Sequence, residues 1–322
     1  MKKSVLLVTL GLVALSLVVY FWRPAESSKK SLAIVTTLSH PALENARLGF
    51  INAIKQSGLN DMEIVDYNAE GNLQQANLIA NKIRSDKNVV GIFAIGTLAA
   101  QALAKAERIR PIVIAAVSDP TVIVPDGLAD NICGQSDSID ADYQIDTILK
   151  LLRNIRNVSV LFSANEDNST SMVKRLSRAA KNRQLGTALV GIHEPQQIMS
   201  GSRDACLKGD VVVIPLDNQL AASIPAVIKA TRSLPCAIIT SHESPIHDGA
   251  TLAFGIDYQK SGEAAGNIMQ KILTKEATPK DIGFIHPASV DISINDAVVR
   301  EKGLNPDLST VPNIKHIQEE RQ

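Results

Sequence analysis

From Leu32 onward the chain alternates short aliphatic, β-branched runs with segments whose apolar positions recur every three or four residues, and each short run ends on a small or polar residue. The first pattern predicts buried strands and the second amphipathic helices; in alternation they predict parallel βαβ units. Strands are expected over 32–35, 63–67, 89–95 and 112–117, with helices starting near Pro41 and stopping at Gly58, over 73–83, and from Leu98 to about Glu107. A loop containing Pro125, Gly127 and Gly134 breaks the rhythm. It then restarts with a helix over 143–152, a strand over 158–162, a helix over 169–183 and strands over 188–192, 211–215 and 236–240. The natural parse is two open parallel sheets in tandem, and a chain of this length exceeds what one hydrophobic core of about 100–150 residues usually supports.

The N-terminal segment follows a different pattern. Lys2 and Lys3 precede an almost unbroken apolar run over 5–22, and a polar stretch follows. That order is an export signal, and it sends everything after Arg23 to the outer face of a membrane. Ala25 and Ser27 suit cleavage before Ser28, whereas Tyr20, Phe21 and Trp22 suit the interfacial belt of a retained anchor; both outcomes stay open. Residues 1–30 are set apart as signal peptide or anchor.

Composition narrows the function. Lysine plus arginine equals aspartate plus glutamate at 33 each, with no long charge run, so nothing suggests a grip on nucleic acid. The three cysteines, Cys133, Cys206 and Cys236, read as small buried residues rather than a disulfide framework or metal site. The six histidines lack metal-ligand spacing and read as surface residues. No nucleophile elbow, zincin motif or phosphate loop occurs, so an enzyme has no positive support.

In open parallel sheets, ligands bind beyond the carboxyl ends of the strands. The residues there are small and polar: Ser39 and His40, Thr97, and Ser118 with Asp119 in the first half, then Asn165, Glu166, Asn168, Ser169, Asp217 and Asn218 in the second. Hydroxyls, amides and helix N-termini suit a carboxylate, and Asp217 or Asp119 suits an ammonium. Asn168 with Ser169, and Asp217 with Asn218, also fit simple helix caps.

Four segments carry a family resemblance: HPALENARLGFINAIKQSG at 40–58, AVSDP at 116–120, ANEDNS at 164–169 and PLDNQLAASIPAV at 215–227. They resemble the ABC-transporter substrate-binding proteins of the tryptophan-type group, and GATLAFGIDYQKSGEAAGNIMQKIL at 249–273 matches that family's last lobe-crossing segment. The resemblance implies a type I periplasmic-binding fold: two Rossmann-like open-sheet lobes joined by a multi-strand hinge. It assigns 31–134 plus about 253–283 to lobe 1, and 135–252 plus about 284–316 to lobe 2. The implied activity is closure of both lobes on a small polar solute, an amino acid and among others an aromatic one, for delivery by a monomer to a membrane permease, with no turnover and no cofactor. Where the family usually reads Asn-Pro-Ser-Glu-Ala-Asn-Ser, this chain has Ser163 to Ser169 with an added charge at Asp167. Aromatic residues are only 3% of the chain, leaving Tyr67, Phe93, Phe162 and Tyr258 as those able to stack on a ring. The rivals are a membrane-anchored ligand-sensing module of the same fold and an exported α/β enzyme.

Overall fold

A computed structural model describes residues 29–59, 61–124, 130–287, 290–311 and 314–318. The export segment and the loop residues Pro125 and Gly127 lie outside the described residues.

The first lobe opens with β1 (Ser31–Thr36), buried along its whole length, as a central strand of a parallel sheet must be. It leads into α1 (Pro41–Gln56), which has Pro41 in its first turn and buries Ala42, Leu43, Ala46, Phe50 and Ile54 along one face. Then come β2 (Glu63–Asn68), α2 (Leu73–Ser85), β3 (Val89–Ile95), α3 (Thr97–Ala106), β4 (Ile112–Val117) and β5 (Ile132–Ser136). Phe50 of α1 stacks on Phe93 of β3 with ring centroids 4.3 Å apart, both fully buried, and this pair anchors α1 to the sheet.

The second lobe continues with α4 (Ala141–Leu151), β6 (Asn157–Ser163), α5 (Asp167–Asn182), β7 (Gly186–Ile192), α6 (Ile198–Lys208), β8 (Val211–Ile214), α7 (Asn218–Ala222), α8 (Ile224–Thr231), β9 (Ala237–Thr240) and β10 (Leu252–Gly255). The chain returns to the first lobe as α9 (Tyr258–Leu273), α10 (Pro279–Ile282) and β11 (Phe284–Ile285). It ends in the second lobe as β12 (Asp291–Asn295), α11 (Asp296–Glu301) and β13 (Ile314–Ile317). The strand orders are β2-β1-β3-β4-β5-β11 and β7-β6-β8-β9-β10-β12-β13.

Three expectations change. The segment over 132–136, read as part of a loop, is a strand: Gly134 lies so close to Ile114 of β4 that a side chain there would collide with its backbone. The strand starting at Leu252 belongs to the second sheet, pairing parallel with β9 (Leu252 with Ile239) and antiparallel with β12. The chain therefore crosses after Gly255, and β11, expected in lobe 2, pairs with β5 in the first sheet. The return helix α9 lies against α1 at backbone contact. A side chain at Gly49 would strike the carbonyl of Gln259, and one at Gly262 the carbonyl of Ala46.

The cysteines are the third correction. Cys133 is buried and free, but Cys206 of α6 and Cys236 before β9 form a disulfide with Cα atoms 5.3 Å apart. They meet in the apolar core between α6 and the second sheet, a proximity that only the fold creates. Closing a loop with a sequence separation of 30 should add about 3–4 kcal/mol by restricting the unfolded chain. The Cys206→Ala/Cys236→Ala double variant is expected to lose about that much in urea unfolding. Wild type should show a matching loss under reducing conditions.

Candidate functional site

The carboxyl ends of both sheets face each other across a narrow cleft whose walls include His40, Ala42, Leu43, Ala116, Ser118, Asp137 and Tyr258 from the first lobe. The second lobe contributes Asn168, Leu216, Asp217, Asn218, Ala221 and His242. The backbone reaches this geometry by a distortion in β4. Ala116 adopts φ 57, uncommon for a residue with a side chain, and the register with β5 shifts between Ile114 and Val117. The bulge turns Ser118 into the cleft.

Asp217 is held from within its own lobe. Its two oxygens accept the Ser163 N–H at 2.6 Å, the Ser163 hydroxyl at 2.8 Å, the Ser169 hydroxyl at 2.7 Å and the Leu220 N–H at 2.8 Å. Four donors fill the acceptor capacity of a carboxylate, leaving no lone pair for an ammonium. Asp217 caps α7 and ties the loops after β6 and β8 together, so the geometry gives it a role within its own lobe in place of the solute contact expected from sequence. Glu166 sits beside it and accepts the backbone N–H groups of Asn218 (3.1 Å) and Gln219 (2.8 Å) together with the side-chain amides of Asn168 and Asn218. Burial and then the Asp217 charge push Glu166 up to about 7. Burial likewise raises Asp217 against its own four bonds.

The other expected site residues divide. Ser118 lines the cleft with its hydroxyl buried and lacking a hydrogen-bond partner among the described residues. Asn168 lines it too, but donates to Leu216 O (2.7 Å) and Glu166, while Ser169 is bound to Asp217; neither caps α5, whose N-cap is Glu166. Asn218 donates to Glu166 and meets His40 Nε2 across the cleft at 3.2 Å. Thr97 is buried but off the cleft wall, Ser39 is exposed and accepts from Asn68, and Asn165 is exposed and donates to His193 O. Asp119 lies at the rim and accepts the Ser171 hydroxyl of the opposite lobe at 2.7 Å. Burial would raise its carboxyl, but the bonds from Thr121 and Ser171 outweigh that and lower it.

Sequence reasoning noted two histidines beyond strand ends but read them as surface residues, and it missed an aspartate. His40 and His242 are not surface residues: both are buried, one from each lobe, with ring centroids 6.3 Å apart. Burial lowers His40, and burial followed by the neighbouring His40 brings His242 down to about 3, so both are neutral. Asp137 directly follows β5. One of its oxygens accepts the Tyr258 hydroxyl at 2.7 Å; the other is buried without a partner among the described residues. Burial pushes Asp137 up to about 6 against the Tyr258 bond. The residue was invisible because its strand was read as a loop, although an aspartate after a strand was the signal sought elsewhere. Among the aromatics named from sequence, Phe93 is core, Tyr67 lies under Lys82, Phe162 is packed beside the core, and Tyr258 alone lines the cleft.

Among the described residues three hydrogen bonds join the lobes at the cleft: His40 to Asn218, Ser171 to Asp119, and Gln101 to Asp167 at 2.8 Å. The added charge at Asp167 thus serves contact between lobes.

Comparison with known proteins places this two-lobed cleft. The family model for ABC transporter substrate-binding proteins matches residues 31–309. The chain belongs to that family. It is the extracytoplasmic solute-binding component of an ABC transport system and not an enzyme. The tyrosine-binding protein of Clostridioides difficile (strain R20291) is 30% identical over 303 residues, covering 90% of this chain and 85% of that protein. The crystal structure of an ABC domain in complex with L-Trp from Streptococcus pneumonia matches with TM-score 0.82 and 25% identity, over 89% of this chain and 100% of that one. The ligand-free, open structure of a substrate-binding protein with adhesive properties from Clostridium difficile matches less well, at TM-score 0.68, despite 28% identity over 90% of this chain and 100% of that one. The better match to the ligand-bound relative agrees with the three bonds between the lobes: this is a closed arrangement of the type I periplasmic-binding fold.

Replacing Asp217 with alanine strips four donors of their acceptor inside one lobe, so Asp217→Ala is expected to destabilise folding by about 2–4 kcal/mol. Urea unfolding measures that loss, and a mutant as stable as wild type would return Asp217 to the list of solute contacts.

Proposed function

We propose that this protein binds an amino acid by its ammonium group at Asp137. The observation that carries the reading is the buried Asp137 oxygen, facing a cleft whose nearby polar atoms include the Ser118 hydroxyl and His40 Nδ1, likewise buried without partners among the described residues. A buried carboxylate with one donor is costly, and a cation removes the cost by pairing with it. The sign agrees with the shift. With its carboxyl raised from 3.8 to about 6, Asp137 contributes stability below pH 3.8 that is lost as the pH rises through 6, and an ammonium brought by the solute restores it.

The Ser118 hydroxyl suits the solute's carboxylate as a donor, whereas neutral His40, whose Nε2–H donates to Asn218 Oδ1, offers its free Nδ1 as an acceptor to the ammonium. The apolar walls, Ala42, Leu43, Ala116, Leu216 and Ala221, suit an uncharged side chain. The relatives named for tyrosine and found with L-Trp support an aromatic amino acid, and here the ring would lie between those walls and the two neutral imidazoles. The protein would be exported by its N-terminal apolar run and hand its solute to a membrane permease. Closure follows from differential contact: the solute touches Asp137 and Ser118 on one lobe and the Asn168 face of the other only when they meet.

Isothermal titration with L-tyrosine, L-tryptophan and smaller amino acids tests this. Asp137→Asn is expected to weaken the best ligand by about 30-fold or more, as truncating a buried charge partner costs about 2–5 kcal/mol, with thermal stability kept or raised. Unchanged affinity would exclude Asp137 as the ammonium site. Affinity of the wild type should also fall by about tenfold or more per pH unit below pH 6, because protonated Asp137 cannot hold an ammonium, and the Asp137→Asn variant should show a shallower slope, the remainder coming from the cleft histidines.

A further inference from the structure

At the end of the first lobe farthest from the cleft, where β3 and β4 begin, Arg84, Lys87, Lys105 and Arg108 surround a surface hollow, and Ile109 stands on its edge with 89% of its surface exposed. Beneath them Arg110 is paired with Glu107 and donates to the carbonyls of Ile83, Asp86 and Val89, so the ground under the patch is rigid. Among the described residues none of the four outer cations is held in a salt bridge. The acid within the hollow, Asp86, is half-buried and accepts the Asn88 N–H. Helix dipoles account for cations in the last turns of α2 and α3, at Arg84 and Lys105. They do not account for Lys87 and Arg108, which lie beyond the helices, nor for an aliphatic side chain held in water between two arginines.

The chain's own beginning supplies the context. Ser31, the first residue of β1, pairs with Val89, and its N–H donates to Asn88 O at 2.9 Å, so the N-terminal segment joins the fold at this same edge. Lys29 and Lys30 are exposed there. Between the apolar run ending at Trp22 and Ser31 lie residues 23–30, which reach at most about 28 Å when fully extended. A retained anchor therefore holds this edge near the bilayer at high effective concentration.

We infer that this basic edge docks on the anionic lipid surface of the membrane that holds the anchor, with Ile109 entering the headgroup region and Arg84, Lys87, Lys105 and Arg108 facing the phosphates. Basic side chains beside an apolar tip are the composition that binds such a surface, and the attraction falls with salt. The inference rests on retention of the N-terminal run, not on the identity of the solute.

The test uses the full chain, residues 1–322, in lipid nanodiscs, with Ile109→Cys carrying an environment-sensitive fluorophore. Cys133 is buried and Cys206 is bonded to Cys236, so the new thiol labels selectively. In discs of equal parts phosphatidylglycerol and phosphatidylcholine the emission should shift to the blue, reverse in high salt and be absent in discs of phosphatidylcholine alone. A label at Leu207→Cys, 74% exposed on the second lobe, should not shift in either lipid. Arg84→Glu, Lys87→Glu, Lys105→Glu and Arg108→Glu together should abolish the Ile109 shift while circular dichroism and solute affinity stay at wild-type values. Failure to enter discs, no shift, an equal shift in neutral lipid, or a shift that grows with protein per disc and so reports a second copy would each overturn the inference.

Discussion

A carboxylate taken out of water must be given donors or a cation, and the cleft is organised around how two buried aspartates meet that requirement. Asp217 meets it locally. Ser163, Ser169 and Leu220 surround it, and in doing so they fix the ends of β6 and β8 and the starts of α5 and α7 in one geometry. Asp137 meets it by half, through the Tyr258 hydroxyl, which comes from the helix that returns to the first lobe. The saturated carboxylate builds the wall, and the unsaturated one is the proposed contact to the solute.

That division explains why the crossings of the chain matter. Asp137 follows β5, immediately before the first passage to the second lobe, and Tyr258 opens α9, immediately after the return. Their hydrogen bond therefore ties two hinge strands together on the first-lobe side. The backbone contact of α9 with α1, permitted by Gly49 and Gly262, sets the depth at which Tyr258 sits. Since α1 also begins just after His40, one helix pair positions both a cleft imidazole and the hydroxyl that holds Asp137.

Most elements were legible because buried parallel strands and amphipathic helices write different periods, as the fully apolar β3 and the one-sided α1 show. What failed depended on contacts between distant segments. The stretch Ile132–Ser136 carries a glycine, a glutamine and a serine, and its strand character comes from pairing with β4 rather than from its own propensity. The sheet joined by Leu252–Gly255 is decided by a neighbour in β9. Of the polar residues after the strands, Ser118, Asn168, Asp217 and Asn218 line the cleft while Thr97, Ser39 and Asn165 do not, and sequence could not tell a carboxylate with four donors from one with a single donor. Spacing likewise concealed both the bond between Cys206 and Cys236 and the meeting of His40 with His242.

The meeting of those histidines bears on when the lobes can close. Closure brings the rings within 6.3 Å in a site poor in water, where two positive charges would repel strongly. Burial lowers both pKa values, so each ring is neutral in the closed form at neutral pH and closure incurs no such repulsion. The closed form then holds fewer protons than any form in which the two rings are solvated. Its stability is complete above the ordinary histidine value of 6.5 and is lost as the pH falls below it toward the lowered values. In the proposed binding mode, protonation of Asp137 acts in the same direction near pH 6, because it removes the anion that would pair with the solute's ammonium. Acid therefore opposes both the grip on an ammonium and the approach of the lobes, through groups on both sides of one cleft.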